Sequence, residues 1–360
     1  MKATLLTAAA LVVTTGVVGA GMYGTSGRPP ARLAAVVQPV RATGGLSPSA
    51  QPLTHPVDLV SRARHAAPAT LRPRPARRNQ PPVLAPTPKP TKPPRPHRPK
   101  PAPVQHLDFV VGTFNALGAS HTGGGGTHAR YAPGSVRGAW AGSIVKRNDA
   151  SVVGFQELQA PQLHTFMRST GGSYTAFPGL SMGALNSENS IAWRTDSWLP
   201  VQRETFSIPY FGGHPRLMPA VLLANRATEL EAWFVNVHNP ADTQAHPHQQ
   251  RFRNRAMSRE IELVNRLKAS GLPVFFTGDL NERDLAFCRF TGEAGMTSAS
   301  GGSHRGACLP HHPEDVDWIF AADHGGSTVA FSGYRAERDA LVRRTTDHFV
   351  PFSHVEISGR

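Results

Sequence analysis

The stretch "VFFTGDLNERD", residues 274–284, joins two things that do not belong together. Val274, Phe275, Phe276 and Thr277 read as a buried strand, since β-branched and aromatic residues fit a packed sheet. Yet Gly278 leads straight into Asp279, and Asn281 follows two residues later. A carboxylate taken out of water is costly unless a charged partner or a cation offsets it. The conflict disappears if the apolar part lies in a core and Asp279 and Asn281 emerge where the strand reaches a wet rim.

The same arrangement recurs along the chain. Asn115 ends the apolar run "LDFVVGTFN", Glu157 follows "ASVVGFQ", and His238 ends "EAWFVNVH". Asp317 stands just before "WIFAAD", and Asp347 and His348 just before "FVPFSHVEI", so these three enter from the start of their strands. "NSIAWRTDSW", "RLMPAVLLANRA" and "STVAFSGYR" read as further strands. "GSVRGAWAGSIVKRND" reads as a helix capped by Ser135, and 244–271 as the longest helix, closing at Gly271. Strands outnumber helices and both run through the whole of 107–360, which suits two packed sheets with helices outside. Strands laid side by side would gather the polar ends on one rim, where sites are usually built.

In this order, "TFN", "FQE", "NVH", "GDLN", "DVDWIF" and "TTDHFV" resemble the endonuclease/exonuclease/phosphatase superfamily of DNase I-like metal-dependent phosphoesterases. The resemblance covers about residues 107–357; the last motif departs from the family's more usual Ser-Asp-His. Each motif alone is weak, and the ordered set of six is what carries weight. The resemblance implies a four-layer α/β sandwich, two mixed sheets flanked by helices, and hydrolysis of phosphate esters.

Phosphate-ester cleavage needs charge neutralised on the phosphoryl oxygens, a water activated in line, and the leaving oxygen stabilised. Hard divalent ions such as Mg²⁺ take oxygen ligands and only one or two carboxylates. Glu157 is the expected ligand, with Asn115 beside it and Asp347 near, and Mg²⁺, or else Mn²⁺ or Ca²⁺, the expected ion. Asp279 is expected to take the proton of the attacking water, with Asn281 orienting that water or holding a phosphate oxygen. His238 and His348 would donate to the phosphoryl group. The resemblance assigns Asp317 to the far ring nitrogen of His348. Asn189 in "ENSIAW" and the pair Arg343-Arg344 are candidate substrate contacts. Which histidine is the acid, and whether one or two metals bind, stay open.

The remaining sequence bounds the setting. Residues 1–26 hold one positive residue and a long apolar run, an export signal cleaved after Ala20 or an uncleaved membrane anchor. Residues 27–106 contain 20 of the 33 prolines and 14 Lys and Arg against one acid, Asp58, which reads as a disordered, extended basic linker. The chain is +14; Lys2 and the linker account for 1 + 13, so 107–360 is formally neutral with 23 bases and 23 acids. The high charge therefore belongs to the tail and is no argument for a nucleic-acid-binding face. Cys288 and Cys308, the only cysteines, are expected to form a disulfide outside the cytoplasm. His246, His248, His304, His311 and His312 match no usual zinc spacing, and "HTGGGG", 121–126, reads as a loop beside the site. The expectation is an extracytoplasmic, monomeric phosphodiesterase, nucleic acid its first substrate class. A phospholipid headgroup is second, with Tyr210 and Phe211 as a membrane-touching loop, and a soluble phosphate third. The alternative of another class is a non-catalytic protein whose basic tail binds an anionic envelope polymer.

Overall fold

The computed structural model describes residues 105–123, 126–312, 315–323 and 325–359. The expected signal or anchor, 1–26, and nearly all of the expected linker, 27–106, lie outside them. Fourteen strands and seven α-helices are described. The strands are β1 Gln105–Asn115, β2 Ala150–Gln156, β3 Tyr174–Phe177, β4 Ser190–Arg194, β5 Trp198–Pro209, β6 Pro215–Asn225 and β7 Glu231–His238, then β8 Val274–Asp279, β9 Thr297–Ser298, β10 Gly302–Ser303, β11 Leu309–Pro310, β12 Asp317–Ala322, β13 Thr328–Glu337 and β14 Val350–Gly359. The helices are α1 Ala119–Thr122, α2 Gly134–Arg147, α3 Ala160–Ser169, α4 Ala184–Ser187, α5 Gln250–Lys268, α6 Asp284–Glu293 and α7 Val342–Thr345.

Two six-stranded mixed sheets form the centre, in the orders β13-β14-β1-β2-β4-β3 and β5-β6-β7-β8-β12-β9. The alternation of side chains across a strand builds the layers. In β1, Val111 points between the sheets while Val110 points outward to α2 and α3. In β8, Phe275 joins the same central layer, and Val274 and Phe276 pack with α5 and α6. Helix, sheet, sheet, helix is thus the order of the sandwich, as expected. The central layer is aromatic: Phe109 meets Trp198 and Phe275 edge-on at 5.2 and 5.4 Å, and Phe234 stacks on Phe275 at 5.0 Å.

Near one rim that layer turns polar. Gln156 donates to Asn236 Oδ1 at 2.6 Å, Asn236 donates to the Phe155 carbonyl at 2.7 Å, and Thr277 reaches Asn236 Oδ1 at 3.2 Å. Gly154 lets the sheets close here, because a Cβ would lie 2.0 Å from Thr277 Oγ1 and 2.4 Å from Asn236 Oδ1. This buried knot fixes the spacing of β2 against β7 and β8, the strands that end at the site.

Several local expectations are corrected. Pro133, not Ser135, is the N-cap of α2, and Ser135 sits inside the first turn. The longest helix begins at Gln250, since Pro247 restricts the residue before it and His248 adopts φ +59°. It ends at Lys268, with Gly271 at φ +82° just beyond. "NSIAWRTDSW" is two strands, β4 and the start of β5, and the last strand starts at Val350. The disulfide Cys288–Cys308 is formed, with Cα atoms 5.6 Å apart.

Candidate active site

Strand register assembles the centre. Parallel pairing of β7 with β8 sets His238 beside Asp279, and antiparallel pairing of β8 with β12 sets Asp279 beside Asp317. In the other sheet, parallel pairing of β1 with β2 sets Asn115 beside Gln156, one residue before Glu157. Asn115 then joins the sheets, its Nδ2 donating to Glu157 Oε1 at 3.1 Å and to Asp279 Oδ2 at 3.0 Å.

Glu157 and Asn281 are both held at positive φ, +57° and +47°. A non-glycine residue in that region costs of order 1–3 kcal/mol and persists only where its surroundings fix it. For Glu157 the fixing contacts are the Gly118 N–H to Oε2 at 2.7 Å, His121 Nε2 at 3.2 Å and His238 Nε2 at 4.0 Å. Burial works against the charge, but the His121 hydrogen bond, the His238 charge and the Gly118 N–H outweigh it, leaving the carboxyl far below the usual range. The same pairing raises His121. Asn281 is held by its own N–H to Asp279 Oδ1 at 2.9 Å and by Nδ2 to the Asn239 carbonyl at 2.9 Å.

Asp279 is 1% exposed. Its Oδ2 faces Nε2 of His238 at 3.5 Å and Nε2 of His348 at 3.9 Å. His348 presents its other nitrogen, Nδ1, to Asp317 Oδ2 at 2.7 Å. Burial opposes protonation of His348, yet the charges of Asp317 and Asp279 and the Asp317 hydrogen bond raise it well above the ordinary histidine value. Its Nε2–H is therefore a donor, and the pair Asp317–His348 is the arrangement the sequence motifs implied.

The donor set fits a divalent cation. The ion-pair partners of Glu157, Asp279 and Asp317 are histidines, and Glu157 stays ionised. Ligand atoms of Asp279, Asp317 and His348 lie within 4.8 Å of one another. A protonated His348 offers no lone pair, however, and Asp317 is 2% exposed and turned to His348. Glu157, ionised and partly open, is the better anchor. Asn115 turns its nitrogen to the carboxylates while its Oδ1 accepts the Leu117 N–H at 3.0 Å, so it holds the acids rather than pointing its oxygen at a cation. Asp347 is exposed and pairs with His128 at 3.3 Å. Asn189 is buried beside the β2 end, with no hydrogen-bond partner for Oδ1. Arg343 and Arg344 are exposed on α7, and Arg343 lines a cleft with His348.

Four residues at the site escaped the sequence reading. His121 lies in α1, just before the glycine run, and pairs with Glu157. Tyr210, expected as a membrane-touching residue, is instead buried, with its hydroxyl 3.4 Å from His238 Nδ1. Burial keeps that phenol protonated, and the contact orients the His238 ring so that Nε2 faces Asp279 at 3.5 Å. Arg137 is fully buried in α2 and donates to the carbonyls of Ala116 (2.6 Å), Thr345 (2.9 Å), Ala132 (2.9 Å) and Gly118 (3.3 Å), tying together the loops that carry Asn115, His121 and His348. Glu260, fully buried in α5, accepts from Asn239 Nδ2 at 3.4 Å, and Asn239 in turn accepts from Asn281. Among these, only His121 had a signal, since it opens the stretch 121–126 read as a loop beside the site.

A two-sheet sandwich with a rim of Asp, Glu, Asn and His of this kind defines a phosphoesterase. The sequence model of the Endonuclease/Exonuclease/phosphatase family matches residues 112–348, and the chain belongs to that family. Its members are hydrolases of phosphate esters that generally use divalent metals. A mannosyl-6-phosphatase of Bacteroides thetaiotaomicron superposes with a TM-score of 0.52 at 17% identity, covering 69% of this chain and 99% of that one. A humanised D. rerio TDP2 gives 0.53 at 17%, with 69% and 98% covered. The human nocturnin catalytic domain with bound sulfate gives 0.52 at 14%, with 71% and 97% covered. These likenesses are of fold. No relative was found among curated protein sequences.

Proposed function

We propose that this chain is an exported, divalent-cation-dependent phosphodiesterase whose substrate class is nucleic acid. The observation that carries the reading is the convergence of Glu157, His238, Asp279 and the Asp317–His348 pair from two sheets onto one rim. A cation held at Glu157 would neutralise charge on the phosphoryl oxygens. Asp279 accepts the proton of a water placed in line, and its second oxygen is already fixed by the Asn281 N–H. His348, kept protonated by Asp317, and His238, aimed by Tyr210, direct Nε2–H donors at the oxygens that gain charge. Asn281 keeps its amide oxygen for water or phosphate, since Nδ2 is taken by Asn239.

Nucleic acid is favoured over lipid by the arginines beside His348 and by the burial of Tyr210, which leaves Phe211 alone for a membrane contact. Among the described residues no helix is long and apolar enough to cross a membrane. Export rests on the apolar segment 1–26, and retention on an anionic envelope polymer rests on the basic stretch 27–106; a monomer is the accompanying proposal. A second substrate reading, a soluble phosphomonoester, draws on the likeness to the mannosyl-6-phosphatase.

The test is a turnover panel of supercoiled plasmid, single-stranded oligonucleotide, sphingomyelin vesicles and a sugar phosphate, with Mg²⁺, Mn²⁺ or Ca²⁺ and with chelator. Cleavage of a nucleic acid that chelator abolishes is expected. Turnover of vesicles or sugar phosphate alone would replace the substrate class, and no turnover of any would remove the hydrolase reading.

A further inference from the structure

Beyond the reacting groups, the face next to His348 carries a run of charge and rings that the hydrolytic steps do not use. A cleft of about 540 Å³ is lined by Arg130, Tyr131, Arg338, Arg343, Thr346, Asp347, His348 and Phe349. It continues, through shared Arg130, Tyr131 and Arg343, into a second hollow of about 310 Å³ that adds Trp140 and Arg344. The four arginines are exposed, and the three aromatic rings are half-buried. Each ring lies under a guanidinium: Arg338 over Phe349 at 4.5 Å, Arg130 over Tyr131 at 5.3 Å, and Arg344 over Trp140 at 5.5 Å. The acid in the cleft, Asp347, pairs with His128, and Arg338 also lies 4.0 Å from Asp315. Positive charge dominates, on a surface whose domain is formally neutral.

From this we infer that the continuous groove from Trp140 to His348 is a tract for single-stranded nucleic acid, which leads the strand to the reacting phosphate. The inference rests on the phosphodiesterase reading and names its substrate. The chemistry is that of strand-binding grooves: cations track the backbone while aromatic and guanidinium planes offer faces to unpaired bases. A duplex keeps its bases stacked inside and gains only the charge term. A polyanion without bases likewise has no use for the rings, so Trp140 separates the alternatives. Arg343 is tied back to the Arg338 carbonyl and Arg344 donates to the Ala340 carbonyl at 3.2 Å, which pre-orders both guanidinium groups along the groove.

The test uses the full chain, whose basic tail is the same in wild type and variants, so only differences report on the groove. Fluorescence anisotropy in EDTA would follow a labelled dT12 strand and a hairpin duplex against wild type, Trp140→Ala and the exposed-site variant Arg130→Glu. A rise in Kd for dT12 of tenfold or more in both variants is expected, with less than a threefold change for the duplex in Trp140→Ala and a loss on both in Arg130→Glu. With Mg²⁺, the ratio of kcat/KM on dT12 to that on bis-p-nitrophenyl phosphate should fall by the same factor. Equal losses on strand and duplex in Trp140→Ala would overturn the inference. So would dT12 binding that Trp140→Ala leaves unchanged and heparin displaces, which describes a plain polyanion site. If wild type binds dT12 as expected but hydrolyses neither diester, the tract stands and the phosphodiesterase reading falls.

Discussion

Tyr210 illustrates how a residue distant in sequence sets the behaviour of one that reacts. Its hydroxyl orients the His238 ring, so Tyr210→Phe should lower kcat about three- to tenfold, the scale of one neutral hydrogen bond, with KM nearly unchanged; steady-state kinetics on a small diester reads both. Glu260 makes a different prediction. Burial, only partly offset by Asn239 and Arg289, pushes its carboxyl up to about 8, so the folded protein holds a proton that the unfolded chain releases near 4.5. Between those values the native state binds more protons, and stability falls as pH rises. Glu260→Gln should therefore raise Tm at pH 8 and leave it nearly unchanged at pH 4.5, as scanning calorimetry at the two pH values would show. Equal shifts at both would contradict the assignment. Neither residue announces itself in the sequence. A glutamate in a basic helix and a tyrosine before Phe-Gly-Gly look like surface residues until the tertiary contacts are known, whereas Asp279 and Glu157 stand out because each interrupts an apolar run.

At the level of elements, the strands buried on both faces were the most legible, and the edge strand β13 was read as well. β2 and β8 are buried along their whole length, and their continuous apolar runs reveal them. β5 and β3 are edge strands; β5 is mostly exposed or half-buried, with Pro200 and charged residues along it, so no period-two pattern survives. α3 and α6 passed unseen for a related reason, since short helices on a sheet need only one apolar stripe. The polar knot at the rim gives the element-scale prediction. Gly154→Ala would drive a methyl into Thr277 and Asn236, and overpacking of this kind costs about 1–3 kcal/mol. A drop in Tm of several degrees, with a larger loss of activity than of folded protein, is expected from parallel melting and turnover measurements. Arg137→Met should act more strongly still, because it leaves buried carbonyls in the site loops without donors, at about 1–3 kcal/mol for each.

On the scale of the whole molecule, the sandwich brings together side chains that are up to 233 positions apart, from Asn115 to His348; the ordered motifs named several of them, while His121, Tyr210, Arg137 and Glu260 carried no such motif. What order does not convey is the packing between sheets, where Asn115 meets Asp279 and Arg137 ties the loops. The disulfide belongs to this scale as well. It closes a separation of 20 residues, worth about 3 kcal/mol in the chain-entropy model, and lies among contacts of the α6 layer rather than at the rim. Replacing both cysteines by serine should lower Tm while leaving kcat on a small diester within twofold.

The most direct measurement of the central claim is the hydrolysis of bis-p-nitrophenyl phosphate with Mg²⁺ by wild type, Asp279→Asn and His348→Gln, each checked for native melting. A proton acceptor and a charged donor acting on one phosphate predict losses in kcat of at least about 10²-fold for each variant, and a double variant little worse than the weaker single. Folded variants that retain wild-type turnover would show that the rim assembled by the two sheets is not where the ester is cleaved.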